Sequence, residues 1–182
     1  MNPIQSFTSA LEETFHRYPS FLKLYSLPYT KIVKKEVELA GIRSDNTVLN
    51  IGCGGLPFTS VKIAEMTGAK VYAMDNNKQA ILSATKLVDK LDLHDKIKFI
   101  FGDGTDSLNV DFDKAVVALQ ARPQDAVVNN LIDSSNNASI VVRIPRKRFR
   151  ETYGPLPDLS EATNSVKHHM ITFDRSVLYE SE

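Results

Sequence analysis

The pattern of apolar and polar positions changes character near residue 47. Residues 1–46 have helical periodicity, and Pro19 and Pro28 each suit the first turn of a new helix, which predicts about three short helices. From Thr47 onward, short runs rich in Val and Ile alternate with amphipathic stretches of helical period. Such runs are typical of strands buried on both faces of a parallel sheet, and right-handed crossovers then favour a doubly wound fold.

Five apolar runs predict the parallel part of the sheet: TVLNIG, KVYAMD, KIKFIFGD, FDKAVVALQ and ASIVVRIP. The stretches SVKIAEMTG, NKQAILSATKLVDKLDL and PQDAVVNNLIDSS predict helices between them. Gly68 suits the position just after the first of these helices, and Pro123 suits the start of the last.

The C-terminal part of the chain departs from this alternation. HHMITF and SVLYES, separated by Asp174 and Arg175, predict an antiparallel hairpin. The whole pattern predicts an α/β fold with a mostly parallel seven-stranded sheet, closed by that hairpin. The length fits a single domain of residues 1–182, with a core of residues 47–182 and an N-terminal helical lid of residues 1–46.

Composition narrows the classes of function. The 22 basic and 22 acidic residues cancel, so net charge favours binding neither to nucleic acid nor to a membrane. The single cysteine, Cys53, excludes an internal disulfide framework and a multi-cysteine zinc site, and the four histidines predict no metal site. Without an apolar run long enough to span a membrane or a signal-peptide pattern, we expect a cytoplasmic protein.

The run VLNIGCGGLPFTS places a glycine loop between the first predicted strand and its helix. Gly52 and Gly54 let a ligand lie directly on the backbone at the carboxyl end of that strand. Asp75 ends the second strand, where a carboxylate can accept hydrogen bonds from a ribose diol, and Asp103 ends the third. Three successive strand ends of this kind predict a nucleoside site. NAD fits poorly, since a G-x-G-x-x-G pattern would place its third glycine at Pro57.

These residues resemble the class I S-adenosylmethionine-dependent methyltransferase superfamily over roughly residues 47–143. The segment GCGGLPFTS is most similar to the G-x-G-x-L-P-x-T-S loop of nicotianamine synthase and related metallophore synthases. VYAMDNN, KIKFIFGDG and SIVVRIP support the comparison. The resemblance implies S-adenosylmethionine as cofactor.

The resemblance also implies roles for single residues. Gly52 and Gly54 would face the methionine part of the cofactor, Asp75 would bind the ribose hydroxyls, Asn76 would lie against the adenine, and Asp103 would accept from its amino group. The full implied cofactor set is Asn50, Gly52, Cys53, Gly54, Asp75, Asn76, Asp103, Gly104 and Leu119.

Two members of that set are less typical. Asn50 stands where many methyltransferases have an acidic residue that helps to hold the methionine amino group, so cofactor affinity could be modest. Cys53 could contact the cofactor, although a small buried filler is the more common role of such a cysteine.

The acceptor is expected to be a small molecule. Tyr25 and Tyr29 belong to an aromatic face that packs on the domain or covers a ligand, and Gln120 follows the fourth strand beside Leu119. Arg143 opens the basic run RIPRKRFR, which suits a solvated loop, an anionic small substrate or a nucleic-acid backbone. The neutral net charge favours the small substrate over nucleic acid.

The expected function is an S-adenosylmethionine-dependent methyltransferase. Displacement at a sulfonium requires alignment more than a base, and the sequence identifies no catalytic residue. Aminopropyl transfer of the nicotianamine synthase type, or a non-catalytic nucleoside-binding subunit, are the alternatives. Neither the acceptor's identity nor an oligomeric state follows from the sequence.

Overall fold

A computed structural model of the chain describes residues 19–181, with the backbone alone for residues 19–28. The helices are α1 (Pro19–Ala40), α2 (Phe58–Thr67), α3 (Lys78–Lys90), α4 (Gln124–Asp133) and α5 (Arg150–Tyr153), with a 3-10 turn at Lys147–Phe149. The strands are β1 (Thr47–Ile51), β2 (Lys70–Asp75), β3 (Ile97–Phe101), β4 (Lys114–Val117), β5 (Ser139–Pro145), β6 (Asn164–Lys167) and β7 (Phe173–Glu180).

The strands form one seven-stranded sheet in the order β3-β2-β1-β4-β5-β7-β6. Strands β1 to β5 are parallel, and β7 pairs antiparallel with both β5 and β6. This arrangement confirms the predicted α/β sheet with its closing antiparallel pair. From β1, the chain adds β2 and β3 on one side of the sheet and then β4 and β5 on the other side. In such a fold the ligand crevice lies at this change of direction, outside the carboxyl ends of β1 and β4.

Alternation along the central strands builds an apolar cluster on each face of the sheet. Val48, Val71, Val116 and Val141 belong to one cluster. Leu49, Val117, Ile140 and Val142 belong to the other. All seven residues of β5 are buried, as expected for a strand covered on both faces. The rigid sheet therefore fixes the positions of the loops that follow its strands.

The prediction that Pro28 begins a new helix is wrong. The helix α1 runs without a break from Pro19 to Ala40. A proline inside a helix removes one backbone hydrogen bond, but Val33 and Ala40 of α1 belong to the core cluster, and such packing stabilises a helix more than local propensity does. The helical segment predicted before Pro19 lies outside the described residues.

The hairpin exists with different limits from those predicted. Its first strand, β6, lies upstream of HHMITF, and residues 168–172 form the connection. Asp174 and Arg175 lie within β7 instead of in the turn, because β7 continues alongside β5 as far as the pair Pro145–Phe173. Pairing with a fully buried strand outweighs the local turn preference of a charged dipeptide.

Candidate active site

The glycine loop after β1 is held against the end of β2. The N–H groups of Gly52 and Cys53 both donate to the carbonyl oxygen of Met74, at 2.9 and 3.0 Å. Gly52 and Gly54 have φ angles of 77° and 66°, the left-handed region that favours glycine. A Cβ added to Gly54 would meet no atom within 4 Å, so the backbone of the loop is open to the crevice there.

Asp75 both faces the crevice and braces the loop. Its Oδ2 accepts from the N–H of Gly54 at 2.8 Å, and its Oδ1 accepts from the N–H of Asn77 at 3.0 Å. Sequence reasoning predicted the ribose contact and missed this bracing. A carboxylate has about four lone-pair sites, so one side chain can hold the loop and still accept from a diol.

Asn76 and Asp103 are brought together at the ends of β2 and β3. The Nδ2 of Asn76 donates to Oδ2 of Asp103 at 2.9 Å, and Oδ1 of Asp103 accepts from the N–H and hydroxyl of Thr105 at 3.0 and 2.9 Å. The hydrogen bond from Asn76 is the main cause that lowers the pKa of Asp103. Asp103 is therefore an ionised acceptor at the edge of the crevice.

Gly104 lies where the loop after β3 packs on α4. An added Cβ would approach Cγ2 of Ile51 to 2.8 Å and Cγ1 of Val127 to 3.2 Å. Its carbonyl oxygen accepts from Nδ2 of Asn130 at 2.8 Å. Only glycine allows this close packing, which keeps Asp103 at the crevice.

Asn50 and Cys53 are buried at the end of β1. The amide of Asn50 donates to the carbonyl oxygen of Val116 at 3.0 Å and accepts from the hydroxyl of Ser60 at 2.8 Å, so it joins β1 to β4 and α2. Burial, with a contribution from the charge of Asp75, raises the pKa of Cys53 to about 12, so its side chain is a neutral thiol. The predicted cofactor contacts of both residues remain predictions.

A cavity of about 180 Å³ lies at the carboxyl ends of β1, β4 and β5. Its lining includes Gly52 and Leu119 together with three predicted acceptor residues, Tyr29, Gln120 and Arg143. The side chain of the fourth, Tyr25, lies outside the described residues. The structure thus brings most of the predicted acceptor side to the cofactor loop.

Arg143 has a different environment from the one predicted. It is 4% exposed, and its Nε and Nη2 donate to both oxygens of Glu36 at 2.8 and 2.7 Å. Nη2 also donates to the hydroxyl of Thr59 at 3.0 Å. An ion pair of this kind already satisfies the guanidinium, so Arg143 is not a free anion-binding group.

Glu36 is the residue that sequence reasoning missed. Ile32, Val33, Glu36 and Ala40 are spaced as the inward face of a helix, and all four are buried. A charged residue on such a face predicts a buried partner, a signal that was present in the sequence. The Ser176 hydroxyl donates to Oε1 of Glu36 at 2.7 Å.

His168 completes this buried network. Its Nε2 lies 2.9 Å from the hydroxyl oxygen of Ser176. Because that hydroxyl donates its single hydrogen to Glu36, Nε2 must carry the proton and act as donor. Burial, the largest cause, lowers the pKa of His168 against the opposing charge of Glu36, while Arg143, Lys35 and His169 lower it further.

His168 should make stability depend on pH. The unfolded chain binds a proton at this side chain near its ordinary pKa of 6.5, whereas the folded protein does not until a lower pH. The contribution of neutral His168 to the free energy of unfolding is therefore fully present above about pH 6.5. It decreases as the pH falls through that value towards the pKa of His168 in the folded protein. Urea unfolding between about pH 7.5 and 5 measures this dependence.

The matched control is His168→Gln, whose amide can still donate to Ser176 but does not titrate. Its free energy of unfolding should change less over this pH range than that of the wild type. Equal pH dependence in the two proteins would show that His168 does not cause it.

Two classes of feature are absent from the described part of the chain. No group of three or more His, Cys, Asp or Glu residues between positions 19 and 181 is arranged to hold a metal ion. Within the same residues, no helix has the length and apolar character needed to cross a membrane.

Comparison with curated proteins yields partial matches, and no protein-family model matches the chain. The chain is 45% identical over 65 residues to a sterol 24-C-methyltransferase of Pneumocystis carinii (strain B80), covering 35% of this chain and 17% of that protein. It is 32% identical over 76 residues to an L-histidine 2-aminobutanoyltransferase of Yersinia pestis, covering 42% and 29%. The chain spans less than a third of the length of these relatives.

Solved structures match over most of the chain. MtNAS, a nicotianamine synthase, in complex with MTA and tNA has a TM-score of 0.80 at 22% identity, covering 96% of this chain and 68% of that one. A mutant of MtNAS in complex with S-adenosylmethionine gives 0.77 at 23%, covering 91% and 66%. An RNA methyltransferase from Salinibacter ruber in complex with S-adenosyl-L-homocysteine gives 0.68 at 13%, covering 83% and 90%. These likenesses confirm the fold implied by the glycine loop.

Proposed function

We propose that this protein is an S-adenosylmethionine-dependent transferase that methylates a small acceptor. The observation that carries the proposal is the joint placement of the open loop at Gly54, the carboxylates of Asp75 and Asp103, and the small cavity beside them. Relatives and structural neighbours named for methyl transfer, or crystallised with this cofactor, support it.

The residues present fit the cofactor. The open space over Gly54 admits a ligand against backbone, where the amino-acid part would lie beside Gly52. Asp75 keeps lone pairs for ribose hydroxyls, and ionised Asp103 can accept from an adenine amino group. When bound, the cofactor supplies an electrophilic carbon on a sulfonium.

The chain's part in such a transfer is alignment and exclusion of water. With cofactor bound, an acceptor lone pair aligned in the cavity would form the new bond to that carbon as the carbon–sulfur bond breaks with its electron pair on sulfur. The acceptor's nitrogen or oxygen would pass its proton to solvent once the product leaves the cavity. Buried Phe58, Leu119 and Phe173 contribute apolar surface to the cavity lining, and such surface helps to exclude water.

Methyl transfer is preferred because it is the more common reaction of this fold, and because relatives and a structural neighbour are named for it. We therefore keep methyl transfer as the proposed reaction.

One observation favours a second candidate. Leu56, Phe58 and Thr59 of the L-P-F-T-S extension line the same cavity, and the neighbours include MtNAS and a relative named for aminobutanoyl transfer. The group that leaves methylthioadenosine behind keeps the carboxylate of S-adenosylmethionine. The group transferred in this second reaction is therefore aminocarboxypropyl. The aminopropyl group expected from the sequence is wrong, because it lacks that carboxylate.

The nucleoside by-product distinguishes the two reactions before the acceptor is known. Incubation with S-adenosylmethionine and the low-molecular-mass fraction of a cell extract should yield S-adenosylhomocysteine, detected by mass spectrometry. Methylthioadenosine as the main protein-dependent product would assign the second reaction. Cofactor binding without either product, in any fraction, would identify a non-catalytic nucleoside-binding subunit.

We propose a small molecule as acceptor because the described cavity is narrow and has no free charge. The Salinibacter ruber neighbour is named an RNA methyltransferase, so the RNA fraction of the extract is the matched comparison. Turnover with RNA and none with the small-molecule fraction would overturn this assignment of the acceptor.

A further inference from the structure

Five segments of the chain meet in the buried network around Glu36 and Arg143. The residue projects from α1, its partner Arg143 lies on β5, Ser176 lies on β7, and Thr59 of α2 accepts from the same guanidinium. His168, in the loop before β7, bonds to Ser176. Glu36 is 1% exposed, so this network is interior and separate from the acidic groups that face the nucleoside side.

The network controls the charge of the cavity. Arg143 is the one charged residue among the described residues that line it. The guanidinium carbon lies 6.0 Å from the ring centre of Tyr29 and 5.7 Å from that of Phe173, both in the cavity lining. Because Glu36 contacts Arg143 through both carboxylate oxygens, the pair as a whole is neutral.

Neutrality matters for the reaction proposed above. A sulfonium carries a full positive charge, and so does a guanidinium that has no counterion. In an interior of low dielectric constant, two such charges repel over a considerable distance. An amine attacks carbon only through a free lone pair, so it must be unprotonated to react. A neutral cavity favours that uncharged form because it offers no counterion to the protonated amine.

We propose that Glu36 is a positioning and specificity-determining residue of the cofactor site. By neutralising Arg143 it allows the cavity to accept a cationic sulfur centre together with an uncharged nucleophile, and it holds the guanidinium between Tyr29 and Phe173. The inference rests on the proposed function, and it assigns to Glu36 an electrostatic role in addition to its contribution to packing.

The test compares two ligands that differ in the charge at sulfur. S-adenosylmethionine is a sulfonium, whereas S-adenosylhomocysteine is a neutral thioether of nearly the same shape. In Glu36→Gln the guanidinium keeps its charge and loses its counterion. Its affinity for S-adenosylmethionine relative to S-adenosylhomocysteine, measured by calorimetry, should fall roughly tenfold, the order of effect of one unpaired unit charge at an effective dielectric constant of about 20.

Two further variants separate charge from packing. Ser176→Ala removes a neutral hydrogen bond to Glu36 and leaves both charges, so the affinity ratio should stay at the wild-type value. Glu36→Gln combined with Arg143→Gln removes both charges and should restore that ratio. Equal weakening of both ligands in Glu36→Gln would overturn the inference, because a purely structural defect does not distinguish the two sulfur atoms.

The outcomes also separate this inference from the proposed function. Failure of the wild-type protein to bind either ligand would refute the proposed function itself. Binding of both ligands with a ratio that Glu36→Gln does not change would leave that function intact and refute the role of Glu36. If Glu36→Gln fails to fold, Arg143→Gln provides the test. It leaves the carboxylate of Glu36 unpaired, and this negative charge should raise the affinity for S-adenosylmethionine relative to S-adenosylhomocysteine.

Discussion

Replacement of Arg143 with alanine should lower the free energy of unfolding by about 3–5 kcal/mol. The substitution leaves the carboxylate of Glu36 buried without its cation, and Glu36 and Arg143 are only 1% and 4% exposed. It also removes the guanidinium from between the rings of Tyr29 and Phe173. Urea unfolding followed by circular dichroism measures the loss, which suits a chain without tryptophan.

The controls address the buried charge itself. Glu36→Gln combined with Arg143→Gln should cost clearly less than the sum of the two single substitutions, because it leaves neither charge unpaired. Lys147→Ala, at an exposed position of the same basic run, should change stability by less than about 0.5 kcal/mol. A loss below about 1 kcal/mol for Arg143→Ala would mean that the ion pair does not stabilise the fold.

Replacement of Asp75 with alanine should weaken S-adenosylmethionine binding by about 1–3 kcal/mol, or roughly fivefold to more than a hundredfold. Two causes act together. The ribose loses a charged acceptor, and the N–H groups of Gly54 and Asn77 lose the carboxylate that holds the loop. Calorimetry on the folded variant measures the change in affinity.

Asp75→Asn is the matched control for this prediction. Its remaining carbonyl oxygen can accept one of the two loop hydrogen bonds, so the loss of affinity should be intermediate. An Asp75→Ala protein that unfolds readily yet binds the cofactor with wild-type affinity when folded would show that the residue acts only on stability.

Short sequence patterns correctly predicted those helix and strand ends that depend on only a few neighbouring residues. Gly68 ends α2 in the left-handed conformation with φ of 74°, as its place after the apolar run predicted. The strand ends at Asp75 and Asp103 reach one crevice because parallel order fixes the edge at which they emerge. The same rule brought Gln120 and Arg143 to the cavity beside them.

The features that the sequence did not predict depend on contacts between distant parts of the chain. Nothing near Arg143 in sequence identifies Glu36 as its partner, and a basic run is ordinarily read as a solvated loop. Continuity of α1 through Pro28 likewise follows from packing on the sheet, which local propensity does not include. The internal hydrogen bonds of Asn50 depend on Val116 and Ser60, which a motif does not reveal.

The network at Glu36 has a consequence for the order in which the chain folds during synthesis. Glu36 leaves the ribosome before both of its partners, because Arg143 follows 107 residues later and Ser176 follows 140 residues later. Until then, burial of the Glu36 carboxylate would leave it without a counterion, so the solvated state is favoured. The packing of α1 on the sheet must therefore wait for β7, and the cavity to which both elements contribute residues is completed only after Ser176 has been synthesised.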